Sequence, residues 1–176
     1  ASYRRQRQMC IRDRYSRINK IMKKRNKFLV IVDDTEELEI AVKFAAKRAL
    51  STQGGVILLN VIEHFDPQQW QSVEDIILQE AHELAQKKLK KWSKVVHELT
   101  KITPELLVKE GIPSEKIIET LESDSDIRFL VLAAAGGDQP GPLVKLLAGQ
   151  KSGKLPVPIV LVPQGLTEEE LNDLTF

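Results

Sequence analysis

Phe28-Leu-Val-Ile-Val-Asp33-Asp34-Thr35-Glu36 sets five apolar residues directly against a run of acids. A short apolar run followed at once by acids and a helix start marks a buried strand entering a βα turn. In open parallel sheets, ligands bind beyond the carboxyl ends of the strands, where strand order reverses. Asp33 is therefore the first candidate binding residue.

The rest of the chain alternates in kind. Strand one is read as Lys27–Val32. A helix follows, with Asp34 and Glu37 at capping-box spacing. Its stripe is Leu38, Ala41, Val42, Ala45 and Ala49. Ser51–Gly55 ends it, and Val56–Ile62 is a second strand, apolar except for Asn60. Such a run suits a parallel strand covered on both faces. A polar link, Glu63–Gln69, leads to a long helix from about Ser72 to Leu99. Val73, Ile76, Ile77, Leu84, Leu89, Trp92, Val96 and Leu99 form its expected inner stripe, with Trp92 as packing. Strand three is Leu106–Lys109, closed by Gly111-Ile-Pro113. A short helix, Ser114–Leu121, turns Ile117, Ile118 and Leu121 inward. Strand four is Phe129–Ala134. The loop Ala135–Pro142 enters a helix carrying Leu143, Val144, Leu146 and Leu147. Gly149–Pro156 is a second loop, Ile159–Val162 is strand five, and Thr167-Glu-Glu-Glu170 caps a terminal helix. This alternation specifies an α/β domain: an open, parallel, five-stranded, Rossmann-like sheet with helices on both faces. The domain is read as 27–163 and the tail as 164–176.

Composition sets the class. The chain has 176 residues, 42% hydrophobic and 29% charged, ordinary for a soluble globular domain with a real core. No apolar run reaches membrane-spanning length, and no basic start precedes an apolar leader region. Cys10 is the only cysteine, which excludes an internal disulfide and fits a reducing, cytoplasmic setting. The net charge of +1 conceals an asymmetry. Residues 1–21 hold seven basic side chains against Asp13 alone, leaving 19 basic and 24 acidic groups in the rest. A basic arm can signal nucleic acid or a membrane surface. This one has no helical stripe and no strand alternation, and Met22 opens a natural start just before strand one. Met9-Cys-Ile-Arg-Asp-Arg14 looks like translated adapter sequence. Residues 1–21 are therefore expected to be a disordered or non-native arm, and neither nucleic acid nor membrane is expected as a partner.

Three regions converge on the carboxyl ends of the strands: Asp33-Asp34, the end of strand two near Val61, and Ala133–Gly141. The third is rich in glycine, follows a strand and precedes a helix. Backbone N–H groups in such a loop can cradle an anion. A surface loop without ligand has the same composition. Gly149-Gln-Lys-Ser-Gly-Lys154 mimics a phosphate loop, but the required Gly-x4-Gly-Lys-Ser/Thr spacing is missing. Lys151 and Lys154 read as solvated. His64, His82 and His97 share no metal-ligand spacing. Ser152 has no nucleophile motif around it.

At these residues the chain resembles the universal stress protein family. The likeness runs through Lys27–Pro163 and is carried by Phe28–Glu36, Val56-Ile-Leu-Leu-Asn-Val61, Lys109-Glu-Gly-Ile-Pro113 and Pro158-Ile-Val-Leu-Val162. Gly141-Pro-Leu-Val144, the stretch to Pro163 and the Leu-Thr-Glu-Glu-Glu tail are similar to a bacterial, alphaproteobacterial branch. The resemblance implies the universal stress protein fold, a cytoplasmic stress-response role without catalysis, and an adenine-nucleotide pocket. Asp33 would meet the ribose and the Val61 backbone the adenine. ATP-binding members carry Gly-x-x-Gly, nine residues, then Gly-Ser or Gly-Thr. Here the corresponding positions are Ala133, Gly136, Gly149 and Gln150, with twelve residues between Gly136 and Gly149. The phosphate-contacting hydroxyl is replaced, so weak adenine-nucleotide binding is expected rather than tight ATP binding.

Two other classes fit the same outline. A receiver-like phosphoacceptor domain would use Asp33-Asp34 for a metal, but needs an Asp ending strand three and a Lys ending strand five. Those ends read Val108-Lys109-Glu110 and Val162-Pro163. A nucleotide-binding α/β enzyme would need an intact phosphate loop. The final strand is uncharged and apolar, with Pro158 at its start, as befits an edge. With the resemblance, this points to a homodimer through strand five. The alternative is that Gln164–Phe176 folds back over that edge.

Overall fold

The computed structural model describes residues 26–63, 71–134, 141–150 and 152–175, with only the backbone of 71–76 and 150. The arm at 1–21, most of the link after strand two and Gly136 lie outside the described residues.

The elements are β1 (Lys27–Ile31), α1 (Leu38–Ser51), β2 (Gly55–Ile62), α2 (Gln71–Thr100), β3 (Glu105–Glu110), α3 (Pro113–Ser123), β4 (Ile127–Ala134), α4 (Pro142–Val144), β5 (Ile159–Pro163) and α5 (Glu168–Thr175). A π turn at Lys145–Gln150 extends α4, and a 3-10 turn at Ser152–Lys154 follows. All strands pair in parallel, in the order β3-β2-β1-β4-β5. Strand order reverses beside β1, so the expected ligand crevice lies at its carboxyl end.

The sheet divides two apolar layers by the alternation of its side chains. Phe28, Val30 and Val32 pack with Leu58, Val131 and the α1 alanines, and α2 adds Leu89 and Val96. Leu29 and Ile31 face the other way, against Ile57, Leu130, Ile117 and Leu147. Phe28 stacks on Phe129 with ring centroids 5.3 Å apart. Trp92 packs half-buried against the first layer, as expected of a core residue.

Several local expectations need correction. Asp34 and Glu37 form no capping box: α1 starts at Leu38, and its N-cap Glu37 makes no side-chain cap bond. Asp33 instead closes a turn onto Thr35, and Asp34 reaches Lys88. The inner stripe of α2 is Ala85, Leu89, Trp92, Val96 and Thr100. Ile77, Leu84 and Leu99 are exposed. At 3.6 residues per turn, Ile77 and Leu84 sit about a quarter-turn or more from that stripe. Ile118 is only half-buried, while Ser114 and Thr120 are buried on α3.

The tail does form its capping box. Glu170 accepts the Thr167 N–H and hydroxyl, both at 2.9 Å, and Thr167 Oγ1 accepts the Glu170 N–H at 3.3 Å. Lys43 and Lys47 hold Glu168, and Leu171 is fully buried. α5 packs on α1, leaving β5 as the outermost strand of the sheet.

Candidate functional site

β1 stops at Ile31, and its last pairing with β2 is Ile31 against Leu59. Past that point β2 continues to Ile62 with only β3 beside it. Leu59 O accepts the Val32 N–H at 2.7 Å, while Ile62 O accepts the Gly111 N–H at 2.9 Å on the other side. Alternate residues of a strand point their backbone groups in opposite directions. The N–H and C=O of Val61 therefore face the space that β1 has vacated. The side chain of Asn60 fixes this edge: its Nδ2 donates to Val32 O at 2.7 Å, and the residue is buried.

The vacated space is a cleft of about 350 Å³. Its floor is Ile31 to Asp34 and Asn60 to Glu63; one wall is Ala81, Leu84, Ala85 and Lys88 of α2; Pro113 and Leu143 close the far side. The exposure of Leu84 now has a reason, since it faces the cleft rather than the core. Gly111 places Pro113 there. It takes a φ of +124°, a region that favours glycine, as β3 turns into α3.

Asp33 is half-buried at the floor. Its Oδ1 accepts the Thr35 N–H at 3.2 Å and the Thr35 hydroxyl at 2.6 Å. These bonds hold the carboxylate in place and leave Oδ2 without a described partner. Asp34 turns outward, and its Oδ2 accepts from Lys88 Nζ at 2.7 Å across the mouth. His82 and Glu110 pair beside it, joining α2 to the end of β3.

Two candidate residues from the sequence, Asp33 and Val61, thus meet in one cleft. Ala133 lies at the end of β4, paired with Val162, and is not part of the lining. Gly149 sits exposed in the π turn, and a Cβ there would meet nothing within 4 Å. Gln150 ends that turn, and its side chain lies outside the described residues. Gly136 is outside the described residues. Sequence reading missed Lys88, Leu84 and Pro113 as cleft residues. The one polar residue in an apolar strand, Asn60, was a visible signal for the site. Among the described residues, no group of three His, Cys, Asp or Glu side chains could hold a metal ion.

A parallel sheet with a crevice at its strand reversal, acidic at β1 and open to the backbone of β2, is an α/β fold with a candidate ligand site. The model of the universal stress protein family matches residues 24–155. The chain belongs to that family. No curated protein matches it significantly by sequence. Among solved structures, it is similar to the universal stress protein UspA from Lactobacillus plantarum: TM-score 0.67, 17% identity, covering 78% of this chain and 97% of that one. It is also similar to a universal stress protein in complex with cAMP, with TM-score 0.58, 14% identity and coverage of 80% and 98%. A family member from Arabidopsis thaliana with AMP bound gives TM-score 0.56, 14% identity and coverage of 82% and 94%. At these identities the likeness establishes the fold.

Proposed function

We propose that this universal stress protein binds an adenine nucleotide weakly in the cleft at the ends of β1 and β2. One observation carries the reading: Asp33 and the free backbone face of Val61 line the same cleft. A backbone N–H beside a C=O complements the N1 acceptor and N6 donor of adenine, and a fixed carboxylate accepts from ribose hydroxyls. The relatives solved with cAMP and AMP support the same ligand class. ATP itself is disfavoured by the altered positions Ala133 and Gln150. Calorimetry with AMP, ADP and ATP up to millimolar concentration tests the reading. Saturable heat accompanied by a rise in melting temperature is expected. No heat and no shift with any of the three would overturn it.

We read the protein as a non-catalytic, cytoplasmic stress-response protein, of an alphaproteobacterial branch. Among the described residues no helix is long and apolar enough to cross a membrane. We also propose a homodimer through β5. That strand lies at the sheet edge with Leu161 42% exposed, and the tail docks on α1 rather than along it. A twofold partner pairing the same edge would cover both copies. Val160→Lys would disrupt such a dimer, but Val160 also packs on the core, so Leu161→Lys is the cleaner probe. Sedimentation is expected to show a dimer for the native chain and a monomer for Leu161→Lys. A native monomer at micromolar concentration would refute the proposal.

A further inference from the structure

The charges around the cleft are unbalanced. Among the described residues, Asp33, Asp34 and Glu63 line it, against one cation, Lys88. A phosphorylated ligand entering here would meet one ammonium group and three carboxylates. Each further phosphate would add negative charge to a site already negative on balance. The position where ATP-binding members of the family supply a hydroxyl is Gln150.

Lys88 is placed to receive one phosphate. It stands on the α2 wall one turn from Leu84, is partly exposed, and spans the mouth to Asp34 at 2.7 Å. Asp34 is 79% exposed, so that ion pair is weak and exchangeable. A phosphate oxygen can take the place of the Asp34 carboxylate without movement of the helix.

We propose that Lys88 is the phosphate ligand of this cleft, and that the cleft selects a nucleoside monophosphate over di- and triphosphates. The inference rests on the adenine reading above. It places phosphate recognition on α2, a helix wall, rather than on the glycine loop after β4.

Calorimetry of adenosine, AMP and ATP without added divalent cation, on the native chain and three variants, tests it. AMP is expected to bind the native protein about five- to tenfold more tightly than adenosine, the scale of one charge-assisted hydrogen bond in a partly exposed site. ATP is expected to bind less tightly than AMP. Lys88→Ala removes the advantage of AMP over adenosine, and Lys88→Arg retains it. Asp34→Asn frees Lys88 and tightens AMP by about two- to fivefold. If Lys88→Ala still prefers AMP over adenosine, or ATP outbinds AMP in the native chain, the assignment of Lys88 is overturned while the adenine site stands. If neither adenosine nor AMP binds, the adenine reading fails and takes this inference with it.

Discussion

The β1–β2 side of the ligand region and the β4–α4 side are built to different standards. On the first side, side-chain hydrogen bonds shape the cleft. Asn60 ties β1 to β2, Thr35 fixes Asp33, and Lys88 anchors Asp34. On the second side, Gly149 stands in open space at the end of a π turn, and Ala133 merely finishes a strand. The sequence departs from the family pattern at Ala133 and Gln150 and resembles it at Asp33 and Val61. On the proposed reading, recognition of base and ribose would be separable from recognition of a triphosphate.

The sharpest way to break this comparison is to damage each side in turn. Asn60→Leu removes the donor to Val32 O and leaves a buried carbonyl unpaired. It is expected to cost about 1–3 kcal/mol, the penalty for an unsatisfied buried polar group. A melting temperature lower by several degrees, together with lost nucleotide binding, is the expected readout. Gly149→Ala on the other side meets no atom and should leave stability within about 0.5 kcal/mol of the native chain. Equal effects at the two positions would erase the distinction drawn here.

Ligand binding sharpens the same contrast at smaller magnitude. Asp33→Ala is expected to weaken adenine-nucleotide binding by about 1–2 kcal/mol, within the range for hydrogen bonds to a charged group. Gln150→Ser restores the family hydroxyl but not the nine-residue spacing. It should change ATP affinity by less than about 0.5 kcal/mol, as a surface substitution does. Calorimetry on both variants checks the pair, and a large gain from Gln150→Ser would show that the loop is a working site after all.

Strand content was legible because parallel strands buried on both faces read as unbroken apolar runs, as in Phe28–Val32 and Val56–Leu59. Their order and the reversal beside β1 were not legible, because the same alternation and crossover rules allow more than one strand order. The α2 stripe was harder. Leu84 and Ile77 are as apolar as core residues, and only the fold shows that their side of the helix borders a cleft and solvent. The acids after β1 also misled locally. Asp34 and Glu37 have capping-box spacing, but a carboxylate free to choose between an orphan N–H and a lysine on another helix is decided by tertiary geometry. Thr167 and Glu170 have no such competitor and form the box their spacing predicts. Lys88 was illegible because it is one lysine in a lysine-rich run, and only the fold shows which turn of α2 borders the cleft.

The opposite end of the sheet supplies the last and smallest test. There, acids are neutralised rather than left facing a cleft: Lys27 Nζ donates to Asp124 at 2.8 Å and to Glu105 at 3.1 Å. Burial pushes the Asp124 carboxyl up. The hydrogen bonds from Lys27 and the Asp126 N–H outweigh that and hold it below its ordinary value. Lys27 in turn is held above its ordinary value, first by Asp124 and then by Glu105. A carboxylate with a depressed folded value stabilises the fold above about pH 4 and loses that contribution as pH falls through the folded value. A lysine with a raised value contributes fully below about pH 10.4, and the contribution disappears as pH rises through the folded value. Stability from this cluster should therefore be flat across neutral pH and decline at both extremes. Lys27→Met leaves Asp124 partly buried without its cation, so the burial effect takes over and raises its value. The variant should lose about 1 kcal/mol near pH 7, the upper end of the range for partly exposed pairs. It should also recover part of that loss on acidification, where the native protein weakens. Melting temperatures of the two proteins between pH 3 and 7 are expected to converge. Parallel curves would show that Asp124 draws its stabilisation from the Asp126 N–H alone.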